Sequence, residues 1–328
     1  MGAWEGLPLS AEPKSQPNAF DEKTLRLRRA ATYASVAVSI LLILVKLGAF
    51  VLTDSIAMLS SLLDSTTDLM TALITMFSVA SALKPPDSDH RYGHGKAEPL
   101  AALAQAAFIA GSSVLLVYEA ASRFYHPHEI QYQALGFGVM AFAIVITLAL
   151  LEFQRYVLRR AKSMAIGADR LHYLGDLLIN VAVAAAFGLY MLTGLAWFDP
   201  VFTLLIAAGM VYSARHIAAH ALNALMDREL PDEDREKIQS IVRAQPNVRG
   251  LHDLRTRTDG ERAFIEFHLE LDPDMTLRAA HRVDESIMAA LHKAFPRADI
   301  AIHQDPDGIE ETRLDEKIAR EEIKAANK

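Results

Sequence analysis

Six long apolar stretches precede residue 215, and polar positions dominate the rest of the chain. The stretches cover residues 30–52, 55–83, 99–118, 130–151, 171–198 and 200–214. A helix needs about 20 mostly apolar residues to cross the core of a bilayer, and most of the stretches reach that length. Residues 177–198 also lack the polar face, at 3.6-residue spacing, that a helix on the surface of a soluble protein shows. The pattern therefore predicts an all-α membrane domain of six transmembrane helices.

Basic residues alternate from one connection to the next. Lys and Arg are frequent in the N-terminal segment, between the second and third stretches and between the fourth and fifth. Arg123 is the only Lys or Arg in the three other connections. Lys and Arg are enriched in the cytoplasmic loops of membrane proteins. The distribution therefore predicts that both termini are cytoplasmic.

After the sixth stretch the pattern becomes that of a small soluble domain. A helix is predicted at 231–245 from its Pro and acidic start, and two extended runs around Asp259–Gly260 predict a hairpin. An amphipathic helix and a short strand follow, which gives a cytoplasmic α+β domain of order α-β-β-α-β. The remaining charged residues predict a solvated extension, partly helical or disordered. The predicted segments are a polar N-terminal segment 1–24, a six-helix transmembrane domain 25–222, a cytoplasmic C-terminal domain 223–306 and a charged tail 307–328.

Composition restricts the chemistry that these two domains can perform. The 328 residues include no cysteine, which excludes disulfides, thiolate metal sites and cysteine nucleophiles. Any metal must therefore be bound by His, Asp, Glu or Asn side chains. The net charge of −7 argues against a nucleic-acid partner.

Two pairs of ionisable residues interrupt the apolar stretches. Asp64 and Asp68 are four residues apart in the second stretch, and His172 and Asp176 have the same spacing in the fifth. Residues four apart share one face of a helix, so two facing helices offer four oxygen and nitrogen ligands, the number of a tetrahedral Zn²⁺ site. Metal release and protonation of such ligands are linked.

The same four residues also allow simpler interpretations. Buried carboxylates can cap helix ends or bind lysines, and a proton relay without metal uses the same side chains. Two matched pairs on separate helices favour the metal site over capping or lysine binding, whereas the proton relay without metal stays open.

A second cluster lies in the loop between the second and third stretches. His90 and His94 are four apart, with Asp87 just upstream, and glycines at 93 and 95 argue against a continuous helix. A His pair with a nearby Asp can bind a metal, although a loop of solvated histidines fits the spacing equally well. Lys96 follows this cluster. It is either one of the positive charges that set the orientation of the chain in the membrane or one partner of an ion pair.

A third cluster is spread over the elements of the soluble domain. A three-residue loop at 259–261 would place His252 directly opposite His268, whereas a two-residue turn would place them on opposite faces. Each histidine alone fits a polar surface position, but together they indicate a His/carboxylate metal centre, either mononuclear or binuclear. The candidate ligands are His252, His268, His281, His303, Gln304 and Asp305.

Short motifs of both domains are distinctive, namely DSTTD, HRYGHGKAEPLAALAQ, HYLGD, MDRELPDE, HDLRTR, FHLEL and IHQDP. In these motifs the chain resembles the cation diffusion facilitator family, most strongly its bacterial zinc and ferrous-iron efflux branch. The resemblance covers residues 25–306. It implies a secondary active transporter in the inner (plasma) membrane, a homodimer joined through its C-terminal domain. Such a transporter exports divalent metal from the cytoplasm by alternating access, in exchange for protons.

The resemblance also assigns roles to individual residues. It places the transport site on Asp64, Asp68, His172 and Asp176. It places a loop metal site on Asp87, His90 and His94, and a cytoplasmic binuclear site on His252, His268, His281, His303, Gln304 and Asp305. It pairs Lys96 with Asp227 in a salt bridge that locks the dimer. It assigns no role to the N-terminal segment or to the tail.

The identity of the metal and two other function classes stay open at this point. Three carboxylates and one imidazole favour Zn²⁺ as substrate and regulatory metal, but Asp-rich ligation also accepts Fe²⁺, Mn²⁺, Cd²⁺ or Co²⁺. One class is a passive metal channel or sensor, which is not coupled to protons. Metal flux through such a channel would continue down the metal gradient after the proton gradient is collapsed. A membrane metallohydrolase would need an open coordination position and a general base.

Overall fold

The chain folds into two compact units, residues 23–226 and residues 227–328. This computed structural model describes residues 22–53, 56–125, 134–193, 198–260, 262–308 and 313–326. Most of the predicted N-terminal segment, residues 1–21, lies outside these ranges.

The first unit consists of six long helices, as the apolar pattern predicts. They are α1 Glu22–Thr53, α2 Ile56–Ala82, α3 Ala97–Tyr125, α4 Ala134–Leu158, α5 Met164–Thr193 and α6 Phe198–Leu225. Within the described residues, α1, α3, α4 and α6 are long and apolar enough to cross a membrane. The other two helices, α2 and α5, carry the pairs of ionisable residues.

The burial pattern of the six helices is the reverse of that in a soluble protein. Small and hydroxyl side chains such as Ala72, Ala102 and Ser39 are buried, whereas Leu115 and Leu192 are exposed. Small residues let helix backbones approach closely in a bilayer, where large apolar side chains gain nothing by leaving the lipid. The outer surface of this unit is therefore suited to lipid.

Three helices begin at one end of the unit. Arg28 of α1 forms a buried ion pair with Glu98 at the start of α3. Ser163, just before α5, donates to the second oxygen of Glu98 at 2.7 Å. Successive helices therefore run in opposite directions, as repeated crossing of a membrane requires.

The second unit is an α+β domain in the predicted element order, followed by one more helix. Its elements are α7 Asp232–Arg243, β1 Gly250–Thr258, β2 Ala263–Leu271, α8 Leu277–Ala294, β3 Asp299–Pro306 and α9 Leu314–Ala326. The sheet order is β1-β2-β3, with β1 and β2 antiparallel and β2 and β3 parallel. The parallel pair needs a crossover connection, which α8 supplies. Ile238, Ile287 and Leu291 of the helices and Ile265 and Phe267 of β2 form its core.

The hairpin reaches the predicted pairing by an unexpected route. Thr258 pairs with Ala263, so four residues connect the strands, which differs from both the three-residue loop and the two-residue turn that the sequence left open. A β-bulge between His252 and Arg255 then shifts the register by one residue. His252 consequently lies opposite His268, as predicted, because the extra residue in β1 compensates for the longer loop.

Candidate metal centres

The first candidate centre joins α2 and α5 in the membrane unit. His172 Nε2 lies 3.1 Å from Asp68 Oδ1 and 3.7 Å from Asp176 Oδ2. One ligand atom from each residue lies within 4.8 Å of the other two. The i, i+4 spacing places His172 and Asp176 on one face of α5, and that face meets Asp68 on α2. The structure therefore brings together three of the four residues predicted for the transport site.

The donor atoms of this cluster fit a cation. His172 Nδ1 and Asp176 Oδ2 are buried and have no hydrogen-bond partner within the described ranges. Buried polar atoms without a partner are costly, and a bound divalent cation between the carboxylates and the imidazole would offset that cost. Phe108 of α3 packs edge-on against His172, with ring centroids 5.7 Å apart.

Asp64, the fourth predicted ligand, lies one turn before Asp68 on α2. It is exposed in this chain and lies outside the group of three ligands. Its electrostatic neighbours include Asp68 and Lys46 of α1. The assignment of Asp64 as a metal ligand therefore stays a prediction.

Lys46 is the only lysine of α1 within its apolar stretch, and it faces α2. Its ammonium group donates to the backbone oxygen of Ser61 at 3.0 Å and to Ser65 Oγ at 2.7 Å. It therefore places a positive charge beside the acidic face of α2.

Asp169 is a buried carboxylate that the sequence analysis did not identify. Ser35 Oγ and Gln154 Nε2 both donate to its Oδ2 at 2.8 Å, and Thr75 Oγ1 lies 3.4 Å from its Oδ1. Its position, three residues before His172 and seven before Asp176, puts it on the same face of α5. That spacing was the available signal, but the predicted fifth stretch began only at residue 171.

We expect Asp169→Ala to destabilise the membrane unit. The substitution removes the acceptor for hydroxyls of α1 and α2 and for the amide of Gln154 on α4, and leaving a buried donor unsatisfied costs about 1–3 kcal/mol. Thermal unfolding of the detergent-solubilised protein measures the loss. Asp169→Asn, which keeps one acceptor oxygen, should lose less, and Asp89→Ala in the exposed loop should lose nothing. Equal midpoints for all three variants would contradict the structural role of Asp169.

The second candidate centre is the loop between α2 and α3. His90 Nδ1 and His94 Nε2 each lie 3.3 Å from an oxygen of Asp87, and the two rings are 4.5 Å apart. The backbone N–H groups of His90 and Asp89 donate to the exposed Asp87 carboxylate. The donor from His90 is the main reason why the pKa of Asp87 lies below its ordinary value. The structure brings all three predicted residues together, in a position open to solvent.

The third candidate centre is built across the three strands of the cytoplasmic unit. His252, His268 and His303 occupy matching positions on β1, β2 and β3. Asp305 Oδ2 lies 2.7 Å from His268 Nδ1 and 3.6 Å from His252 Nε2, and Asp305 Oδ1 lies 3.3 Å from His303 Nε2. Ligand atoms of His252, His268 and Asp305 lie within 4.8 Å of one another. This set of imidazoles and a carboxylate suits Zn²⁺ and similar divalent ions.

Two residues predicted for this third centre face elsewhere. Gln304 points to the opposite face of β3 from His303 and Asp305, because successive residues of a strand alternate. There its amide donates to Asp284 of α8. His281 is exposed on α8, with Nε2 3.7 Å from Glu285 Oε1. Both assignments stay predictions, and this chain alone does not bring either residue to the cluster.

The predicted dimer salt bridge involves one residue from each unit. Lys96 Nζ donates to the backbone oxygen of Leu225 at 3.4 Å, within the membrane unit. Asp227 Oδ1 lies 3.5 Å from Arg257 within the cytoplasmic unit. The pairing of Lys96 with Asp227 stays a prediction.

Both units match known protein families. Residues 32–226 match the cation efflux transmembrane domain, and residues 230–307 match the cytoplasmic domain of cation efflux proteins.

Curated relatives span nearly the whole chain. The cation-efflux pump FieF of Shewanella oneidensis is 43% identical over 284 residues, which are 87% of this chain and 96% of the relative. The protein of the same name from Klebsiella pneumoniae is 40% identical over 289 residues, 87% of this chain and 94% of the relative. Among solved structures, the metal-bound C-terminal domain of the CzcD transporter from Thermotoga maritima is 28% identical. It covers 25% of this chain and 100% of its own, with a TM-score of 0.24.

The family is established by the match over both units and by the identity along most of the chain. The two units have the fold that the family's two domains require, six membrane helices and a small α+β domain. The chain therefore belongs to the cation diffusion facilitator family of metal-efflux membrane transporters.

Proposed function

We propose that this chain exports divalent metal ions from the cytoplasm in exchange for protons. The observation that carries the proposal is the cluster of Asp68, His172 and Asp176 between two helices of the membrane unit. Ionisable groups inside a membrane domain are costly and mark ion and proton pathways. The relatives are named cation-efflux pumps, which agrees with a transport role for this cluster.

Proton coupling follows from the chemistry of the ligands. A carboxylate or an imidazole must be deprotonated to bind a metal, so metal binding releases protons and protonation expels the metal. His172 is the proposed proton carrier, because imidazole titrates near neutral pH. Alternating access then lets cytoplasmic metal enter the cluster and external protons displace it.

Zn²⁺ is the proposed first substrate, and Fe²⁺ the second. An oxygen-rich set with one imidazole fits a tetrahedral Zn²⁺ site, and the absence of cysteine fits a site that must release its metal in every cycle. Cd²⁺ and Mn²⁺ are further candidates, because the same ligand types bind them.

The proposed assembly is a homodimer in the inner membrane, joined through the cytoplasmic domain, with both termini in the cytoplasm. Metal bound at the third centre would hold the cytoplasmic domains in one arrangement and so bias transport. This requires that the metal bind one state of the dimer better than the other. The Lys96–Asp227 salt bridge is the proposed lock of the dimer near the membrane surface.

Transport into proteoliposomes tests the proposal. The vesicles are loaded with a zinc-sensitive dye at acidic pH and diluted into neutral buffer that contains Zn²⁺. We expect Zn²⁺ to accumulate in the lumen while protons leave, and its entry to slow, when nigericin collapses the pH gradient, to the rate that the Zn²⁺ gradient alone supports. Fe²⁺, Cd²⁺ and Mn²⁺ are then added as competitors at a fixed gradient. Zn²⁺ entry that continues unchanged after nigericin would contradict antiport and indicate a passive channel.

A further inference from the structure

The C-terminal helix α9 is bound to strand β1 of the cytoplasmic unit. The carboxylate of Asp253 accepts the backbone N–H groups of Leu314 and Asp315, both at 2.9 Å. In return, the carboxylate of Asp315 accepts the backbone N–H of Asp253 at 2.9 Å. The first N–H groups of a helix lack acceptors within the helix. Asp253 supplies acceptor oxygens for two of them, from a strand more than 60 residues earlier in the chain. The tail therefore has a specific docking position, which its charged sequence did not predict.

That docking position adjoins the third metal centre. Asp253 follows His252 directly, at the β-bulge of β1, and its φ of 51° lies in the left-handed region. Asp is one of the few residues that adopt this conformation readily. A bulge redirects a side chain, so His252 lies opposite His268 while Asp253 meets the start of α9. One irregularity in β1 thus serves both the metal centre and the tail.

A second contact connects the tail to the same histidine. Arg313, just before α9, forms an ion pair with Glu270 of β2. Glu270 Oε1 lies 3.2 Å from His252 Nδ1, while the other ring nitrogen of His252, Nε2, faces Asp305. The carboxylate therefore stands between the guanidinium of the tail and the imidazole of the centre.

Gly250 provides the space for this arrangement. Gly250 is paired with Glu270 across the two strands, and a Cβ atom at position 250 would collide with the Glu270 carboxylate. With glycine there, the carboxylate can lie over β1 and reach both His252 and Arg313.

We propose that α9 is part of the support of the cytoplasmic metal centre, so that metal binding and tail docking stabilise each other. The inference rests on the proposed metal centre and goes beyond it by giving the tail a role. A histidine that binds metal through one nitrogen usually donates its other N–H to a carboxylate, which fixes the ring and raises its basicity. Glu270 Oε1 lies 3.2 Å from His252 Nδ1, which has no hydrogen-bond partner among the described residues. A small rotation of the ring on metal binding would align the N–H with this carboxylate, which Arg313 holds by its ion pair. Because linkage is reciprocal, a tail that favours metal binding must itself be favoured by the metal.

Hydrogen exchange of the full chain in detergent, with and without Zn²⁺, tests this linkage. We expect Zn²⁺ to slow exchange of the amides of 313–326 several-fold, and His268→Ala to remove that effect. Glu270→Gln and Arg313→Gln should each weaken Zn²⁺ binding at this centre by about 10-fold, as the loss of a residue that supports a ligating histidine does, and should uncouple the tail. Arg320→Gln is the matched control, because Arg320 pairs with Glu316 within α9 itself.

The readouts separate a failure of the linkage from a failure of the centre. Protection of the β2 amides in each variant reports whether the domain still folds. If Glu270→Gln does not fold, Arg313→Gln still tests the linkage, because it changes a residue of the tail and leaves the strands intact. If Zn²⁺ binding depends on His268 while tail exchange in the unmodified chain is the same with and without Zn²⁺, the linkage is wrong. If Zn²⁺ binding to the cytoplasmic domain does not depend on His268, the centre itself is wrong and the linkage falls with it.

Discussion

Replacing Asp68 by alanine abolishes proton-driven metal transport, with an expected loss of at least about 100-fold in flux. Substitutions of residues that support the ligands of a metal site typically cost 10- to 100-fold, and Asp68 is itself one of the proposed ligands. Its Oδ1 lies 3.1 Å from His172 Nε2, so its removal leaves the imidazole without its nearest partner. Initial rates of zinc uptake into proteoliposomes, at a fixed pH gradient, measure the effect.

Thr66→Ala is the matched control for Asp68→Ala. Thr66 lies two residues earlier on α2, is exposed, and bonds only to the backbone oxygen of Leu62 among its described hydrogen bonds. It should keep the flux of the unmodified chain. Size-exclusion chromatography should show that both variants form the same dimer. Unchanged flux in Asp68→Ala would show that the transport site lies elsewhere.

Replacing His172 by glutamine should uncouple metal movement from the proton gradient. Glutamine keeps a polar group at this position, which is only 5% exposed. Unlike imidazole, its amide cannot take up and release a proton near neutral pH. We expect the flux to fall by about 10-fold or more and to lose its dependence on pH between about 6 and 8. Flux measured at a series of luminal pH values shows whether that dependence remains.

His216→Gln is the control for the same chemical change in the same unit. His216 is exposed on α6 and lies outside the described metal clusters, so this variant should keep both the rate and its pH dependence. A His172→Gln variant with a normal pH profile would assign the proton to another group.

The six helices and the membrane cluster could be largely predicted from the sequence, because both depend on local periodicity. Apolar stretches of about 20 residues are read directly from the chain. The i, i+4 spacing of His172 and Asp176 fixes a shared helix face without knowledge of neighbouring helices. Asp169 could not be placed in the same way. Its importance arises from three other helices whose side chains converge on its carboxylate, a property of packing and not of spacing.

The cytoplasmic unit shows a different limit of sequence analysis. The sequence predicts the pairing of His252 with His268 only if the loop has three residues, whereas the observed loop has four, and the bulge at Asp253 restores that pairing. Bulges are set by contacts across the sheet and beyond it, here with the first turn of α9. The alternation that turns Gln304 away from Asp305 was, by contrast, available from the strand period alone.

Simultaneous measurement of zinc and proton movement tests the central claim most directly. Proteoliposomes with equal pH on both sides receive an inward Zn²⁺ gradient, and a luminal pH dye reports proton movement. Exchange at the cluster of Asp68, His172 and Asp176 predicts that the lumen becomes more alkaline as zinc enters, and that Asp68→Ala removes both signals together. Zinc entry without any change of luminal pH would contradict it.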